Sequence, residues 1–185
     1  MTGHHLILGE LTDLITGEII KDTLDERHRQ KIARLLLDSK GYLKSDIQAR
    51  KRLLVEAGEN RALIKIDFLI SLFDRLCMII NYGPGSLVTR HRPVLAASRV
   101  LAPYQIPVAV VTNGEDAEIL DGSSSKVLSR GLDMIPSKTE LHEMTDRFDF
   151  IINLIPAERA VMESRILYCY EVDDSCPCDE DVCKL

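Results

Sequence analysis

The sequence predicts an α/β domain, a central mixed sheet flanked by helices with a helical pair toward the C-terminus. Three observations carry that reading. Two apolar runs, residues 64–70 and 76–81, lie close together and end in the turn Tyr82-Gly-Pro-Gly85. Helical spacing precedes them from Thr23 and follows them from Ser86 to about residue 101. A short strand, residues 108–112, then completes an order of helix, strands, helix and strand. At 185 residues the chain is long enough for one buried core, and neither a repeat nor a linker divides it.

Residues 1–22 are a lead-in whose apolar stretch 6–15 fits a short strand pair or a helical turn. Thr23-Leu-Asp-Glu26 is a capping box, with Glu26 expected to bond back to the helix start. Leu24, His28, Ile32, Leu35 and Leu36 recur at helical spacing up to Gly41. Arg27, Arg29, Lys31 and Arg34 fall largely off that stripe and are expected to face solvent or a ligand.

Strands at 47–55 and 61–70 are joined by the hairpin turn Ala57-Gly-Glu-Asn60. The strand at 76–81 has five apolar residues in a row, the pattern of a strand covered on both faces. Ser86 is a candidate cap for the next helix, in which Pro93 implies a kink or a short loop. After the strand at 108–112, Asn113-Gly114 turns the chain. Residues 118–120 then pair through Asp121-Gly122 with 127–129. Ser137-Lys-Thr-Glu140 opens a helix to about residue 148, and Pro156 starts a last one to about 170. The expected organisation is a lead-in at 1–22, an α/β core at 23–130, C-terminal helices at 131–170 packed on the core, and an acidic cysteine-rich tail at 171–185.

Composition excludes some classes. No run of about 18 apolar residues exists, so no membrane span is expected. The N-terminus lacks the basic start and apolar run of an export signal, so a cytoplasmic protein is expected. No Gly-Lys-Ser/Thr phosphate loop occurs, hence no ATP is expected. Net charge is −6, yet eleven Lys/Arg face six Asp/Glu between Thr23 and Lys65, while six acids face one lysine from Glu171 on. Such segregation fits a basic binding face, and equally a solvated helix face with an acidic tail.

Several residues are candidates for chemistry. Asp67 interrupts an apolar strand, and a buried acid needs a partner or a function unless it faces solvent on an edge. Gly83-Pro-Gly85 serves as a turn more readily than as a phosphate cradle. Arg90, His91, Arg92 and Arg99 follow it. They could contact DNA phosphates or pair with the chain's own acids. Cys77 reads as a buried small hydrophobe. Cys169, Cys176, Cys178 and Cys183 lie within fifteen residues, a set able to hold Zn²⁺ or an iron–sulfur cluster, to form a disulfide, or to do neither.

The run from Glu26 through Asp67, Tyr82-Gly-Pro-Gly-Ser-Leu87 and Val108-Ala-Val-Val-Thr-Asn-Gly114 resembles the N-terminal domain of type I restriction enzyme R subunits. That domain belongs to the PD-(D/E)xK nuclease superfamily, and the resemblance covers roughly residues 23–120. It implies a restriction-endonuclease-like sheet. It also implies a site in which an aspartate, a Glu-x-Lys on the next strand and a helix glutamate hold Mg²⁺. Asp67 matches the aspartate and Glu26 the helix glutamate. Ile79 stands where the second carboxylate belongs and Asn81 where the lysine belongs, a degenerate position. Asp74 and Glu56 are the acids a shifted alignment offers, and neither lies on the right strand. The expectation is a stand-alone, catalytically degenerate relative that binds DNA or a protein partner and lacks the ATP-driven motor of full R subunits. The alternatives are an active Mg²⁺-dependent DNA endonuclease and a non-DNA scaffold with a metal-binding cysteine tail.

Overall fold

The spine of the fold is a long antiparallel hairpin, β3 (Ile47–Ala57) and β4 (Asn60–Leu72), continued by β5 (Arg75–Tyr82). It is seen in a computed structural model that describes residues 6–172 and 182–184. Before it come a two-stranded ribbon, β1 (Gly9–Thr12) with β2 (Ile19–Asp22), and the helix α1 (Leu24–Arg34). A π-helical turn, Leu35–Ser39, extends α1. After it come α2 (His91–Val100), β6 (Val108–Thr112), β7 (Ala117–Asp121) and β8 (Val127–Arg130). Next follow α3 (Lys138–Asp146), α4 (Ala157–Glu171) and a three-residue strand, β9 (Val182–Lys184).

The sheet order is β3-β4-β5-β6-β7-β8. All pairs along it are antiparallel except β5 with β6, which are parallel because α2 crosses between them. β9 pairs with Ala62–Ile64 of β4, a stretch of β4 that the β5 pairing leaves open. The sequence reading places no strand there. No helix among the described residues is long and apolar enough to cross a membrane.

Each side of the sheet has its own core. One is built from Ile32 of α1, Leu36 of the π-helical turn, Phe68 and Ile70 of β4, Met78 and Ile80 of β5, and Leu141 of α3. The other gathers Leu69, Ile79, Val94 and Ala97 of α2, Ala109 of β6, and Leu167 of α4. β5 therefore alternates between two cores, with Ile79 to one side and Met78 and Ile80 to the other, as its unbroken apolar run predicts. The C-terminal helices serve opposite sides: α3 packs on the α1 side and α4 on α2.

Two local expectations are settled. Of the two readings at Pro93, a kink or a short loop before the helix proper, the second holds. α2 begins only at His91, and Pro93 as its third residue lacks an N–H that a first helical turn leaves unpaired anyway. Ser86 does not cap α2. Arg90 precedes the helix without a side-chain hydrogen bond, and a 3₁₀ turn, Val88–Arg90, leads into it.

The buried face of α1 differs from the expected stripe. Leu24 is 60% exposed, whereas Glu26, Arg29, Ile32, Ala33 and Leu36 are buried. At three- and four-residue spacing that face starts polar and ends apolar. It lays an acid and a base, rather than leucine, against the hairpin.

The hairpin itself changes sides at the same level. Ala49 pairs with Phe68 and Lys51 with Ile66, while Arg50 between them takes a left-handed conformation at φ 56°. Ile47, Ala49 and Phe68 pack on the α1 side, but Leu53, Val55, Ile64 and Ile66 join the α2–α4 side. The switch falls at Arg50 and Asp67.

Candidate functional site

Where α1 crosses the hairpin, six ionisable side chains converge. Arg29 Nε donates to Asp67 Oδ1 at 2.6 Å, and its Nη1 donates to Glu26 Oε1 at 2.9 Å. Arg50 reaches the same glutamate from β3, with Nη1 donating to Oε1 at 3.1 Å and Nη2 to Oε2. Its Nε donates to Asp13 Oδ2 at 2.9 Å, in the β1–β2 turn. Lys65 Nζ lies 3.7 Å from Glu26 Oε1. Asp67 Oδ2 accepts the Tyr82 amide at 2.7 Å.

The cluster balances three acids, Asp13, Glu26 and Asp67, with three bases, Arg29, Arg50 and Lys65. Asp13 and Asp67 are 3% and 4% exposed, so the pairing has to offset a large desolvation cost. Burial pushes the Glu26 carboxyl up. The Arg50 hydrogen bonds and the Arg29, Arg50 and Lys65 charges outweigh it and hold the group below its usual value. Asp13 follows the same logic: burial raises it, and the Thr16 and Ile15 amides with Arg50 bring it below the usual range. Arg50 is raised, because its two carboxylate partners outweigh its own burial.

Tyr82 closes one side. Its hydroxyl donates to Asp25 Oδ1 at 2.9 Å, its ring stacks on His28, and the Arg29 guanidinium lies 5.2 Å from the ring centre. The Asn113-Gly114 turn after β6 comes to the same place, where Lys31 Nζ donates to the Gly114 carbonyl at 2.8 Å.

The predicted pair Glu26 and Asp67 is thus brought to one guanidinium. Glu26 does not complete the expected capping box. The Thr23 hydroxyl accepts the Glu26 amide, but the Glu26 carboxylate turns to the arginines. Arg29, expected toward solvent, is buried.

On β5 it is Ile80, paired with Phe68, and Tyr82 that face α1. Ile79 belongs to the other core. Asn81 lines a narrow cavity with Arg90, Pro93, Val94 and Glu171, and its buried Oδ1 has no hydrogen-bond partner. Neither residue shares the side of the sheet on which Asp67 meets Arg29. Asp74 lies exposed in the β4–β5 turn, and Glu56 pairs at the surface with Arg61.

The donor set does not suit a hard divalent ion, which takes six or more oxygens. Here guanidinium groups lie between the carboxylates, and the facing β5 positions are isoleucine and tyrosine. Among the described residues no three His, Cys, Asp or Glu are grouped to hold a metal.

Each of the four candidate DNA-contacting residues meets an acid of the chain, the pairing weighed beside that role. Arg90 lies 3.9 Å from Glu171, and His91 Nε2 bonds Glu118 Oε2, which also holds Arg130 through Oε1. Arg92 and Arg99 both reach Glu163. Cys77 is buried as expected, and burial pushes its thiol up. Cys169 is a free, exposed residue of α4. Cys176 and Cys178 lie outside the described residues, as does the Cys183 side chain, so the four-cysteine site lies outside them too.

Sequence reasoning missed Asp13, Arg29, Arg50, Lys65, Glu118 and Glu163. For Arg29 a signal exists: it lies three residues after Glu26 and four before Ala33, on one helix face. For Arg50 none does, since a non-glycine residue at positive φ inside a strand has no sequence signature.

A family model described as the N terminus of the type I restriction enzyme R protein matches residues 24–136. The chain belongs to that family. No curated protein and no solved structure matches the chain. The matched span runs from the start of α1 to the residues before α3. It includes Glu26, Arg29, Arg50, Lys65, Asp67 and Tyr82, and leaves out Asp13, α3, α4 and β9.

Proposed function

We propose that this protein is a non-cleaving member of its family, which keeps a nuclease-like sheet and binds a polyanionic partner, DNA foremost, without metal-dependent hydrolysis. The observation that carries this reading is Arg29, one guanidinium shared by Glu26 and Asp67. If Glu26 and Asp67 are the counterparts of the nuclease acids, as the resemblance implies, this guanidinium occupies the place of their cation. A guanidinium supplies positive charge and fixed donors, but it cannot coordinate water and lower its pKa as a metal does. Membership in a restriction-enzyme family supports DNA as the partner.

Supercoiled plasmid incubated with the protein and Mg²⁺ or Mn²⁺ is the test, with Asp67→Ala as control. No nicking is expected from either protein. Nicking that Asp67→Ala abolishes would instead establish a second reading, an active Mg²⁺-dependent endodeoxyribonuclease. The convergence of Asp13, Glu26 and Asp67 on one cluster is what favours that alternative.

A further inference from the structure

We propose that the junction of α2 and α4 is a phosphate-binding site, formed by Arg92 and Arg159 around Glu163 and apart from the Glu26–Asp67 cluster. Glu163 of α4 is only 4% exposed, yet three guanidiniums surround it. Arg92 Nη1 is 2.6 Å from Oε2, Arg99 Nη1 is 3.0 Å from Oε1, and Arg159 Nε is 3.7 Å from Oε1. Among the described residues no other acid lies within ion-pair distance of these arginines, so two positive charges stay unmatched. The other two clusters differ. Around Glu26 three acids meet three bases, and Glu118 takes one arginine and one histidine.

The three arginines have different duties. Arg99 is buried and fully engaged, with Nε on Gln105, Nη1 on Glu163 and Nη2 on Ser125. It fixes the carboxylate. Its burial, with the nearby Arg159 and Arg92 charges, outweighs the Glu163 attraction and holds Arg99 below its usual value. Like charge is therefore crowded at a half-dry junction, where repulsion is screened less than at an open surface. Arg92 and Arg159 keep 38% and 47% of their side-chain surface exposed, so they face an incoming ligand. Arg92 Nη1 and Glu163 Oε2, though close, make no aligned hydrogen bond, and both atoms are buried. Nη1 is closed off there against Glu163, and the exposed remainder of the Arg92 fork is what stays open to a ligand.

A phosphate answers both deficits. It brings negative charge to the surplus and planar pairs of oxygens to the guanidinium forks. The phosphate is either free or part of a polynucleotide backbone. The second source rests on the polyanion reading above, and the first does not.

The test uses the full chain with two probes. Thermal unfolding is followed in inorganic phosphate against chloride at equal ionic strength. Anisotropy of a short fluorescein-labelled DNA duplex is followed across a salt series. Arg159→Gln is compared with Arg61→Gln, an exposed control on the hairpin, and Arg92→Gln serves as a second site variant. Phosphate is expected to raise the melting temperature of the native chain and of Arg61→Gln but not of Arg159→Gln. Duplex affinity is expected to drop about fivefold or more in Arg159→Gln, with a log K against log salt slope smaller by roughly 0.9. A phosphate shift lost in Arg159→Gln without duplex binding keeps the site as one for a free phosphate and removes the polyanion reading. If neither probe separates Arg159→Gln and Arg92→Gln from Arg61→Gln, the site proposal falls.

Discussion

Arg29 ties α1 to β4 through a 2.6 Å hydrogen bond to Asp67, two side chains that are 38 positions apart in sequence. The same guanidinium bonds Glu26 within its own helix, so its removal takes one cation from two buried carboxylates at once, while Arg50 and Lys65 stay with Glu26 and the Tyr82 amide stays with Asp67. Breaking a buried pair costs about 3–5 kcal/mol, because it leaves charge uncompensated in a dry place. Arg29→Met is expected to lose stability in that range in urea denaturation. A loss below about 1 kcal/mol would mean that water replaces the guanidinium and that the pair does not hold the helix.

Acid should undo the same cluster. The folded-state pKa of Glu26 lies below its ordinary 4.5 and that of Asp13 below its ordinary 3.8. Depressed carboxyls contribute stability that is fully present above those ordinary values, and it is lost as pH falls through the folded ones. Stability should hold from neutral pH down to about pH 5 and fall steeply below it. Glu26→Gln should be less stable at pH 7 and flatter between pH 5 and 3. A native-like slope in that variant would place the acid sensitivity elsewhere.

Restoring an acid at Ile79 should not restore a metal site. Ile79 is fully buried in the core with Val94, Ala97 and Leu167, across the sheet from Arg29. Ile79→Glu puts an unpaired carboxyl among apolar side chains, a cost of several kcal/mol. The expected result is loss of cooperative unfolding and no Mn²⁺ binding by electron paramagnetic resonance. A folded variant that binds Mn²⁺ only with Asp67 intact would show that Ile79 and Asp67 share a side after all.

That example shows what the sequence carries. Local rules sufficed where the deciding interaction is local. Val108–Thr112 is the expected strand, the turn after Ala57 is the expected hairpin, and Ser137 with Glu140 forms the expected capping box. Glu26 and Asp67 were legible as an unusual pair of acids within an apolar context. Which β5 residues share their side was not, because side chains alternate with period two and a one-residue slip exchanges the faces. Arg29 reads as solvent-facing until its two carboxylates are known, and one of those comes from a distant strand. Arg92 and Arg99 follow a glycine-rich turn as a nucleic-acid contact would, yet their acid lies more than sixty positions further on. β9 is three residues long, too short for any periodicity.

Gly122 and Gly58 separate two reasons for a glycine. Gly58 sits in the β3–β4 turn at φ +67°, and a Cβ there would meet nothing within 4 Å. Gly58→Ala is therefore expected to cost about 1–2 kcal/mol, the strain of a left-handed residue alone. Gly122 has no such φ but is walled in. A Cβ there would strike the Ile106 carbonyl and approach Gln105 Nε2 to 2.7 Å and the Pro107 carbonyl to 3.0 Å. The Ile106 and Pro107 obstacles are backbone, and Gln105 holds Arg99, so nothing moves without cost. Gly122→Ala is expected to lose about 1–3 kcal/mol or more by overpacking. It should also weaken phosphate binding, since Arg99 would no longer be fixed beside Glu163. Gly58→Ala, measured by the same thermal shift, should leave phosphate binding unchanged. Equal phosphate responses in the two variants would show that the Gln105–Arg99 support does not govern the junction of α2 and α4.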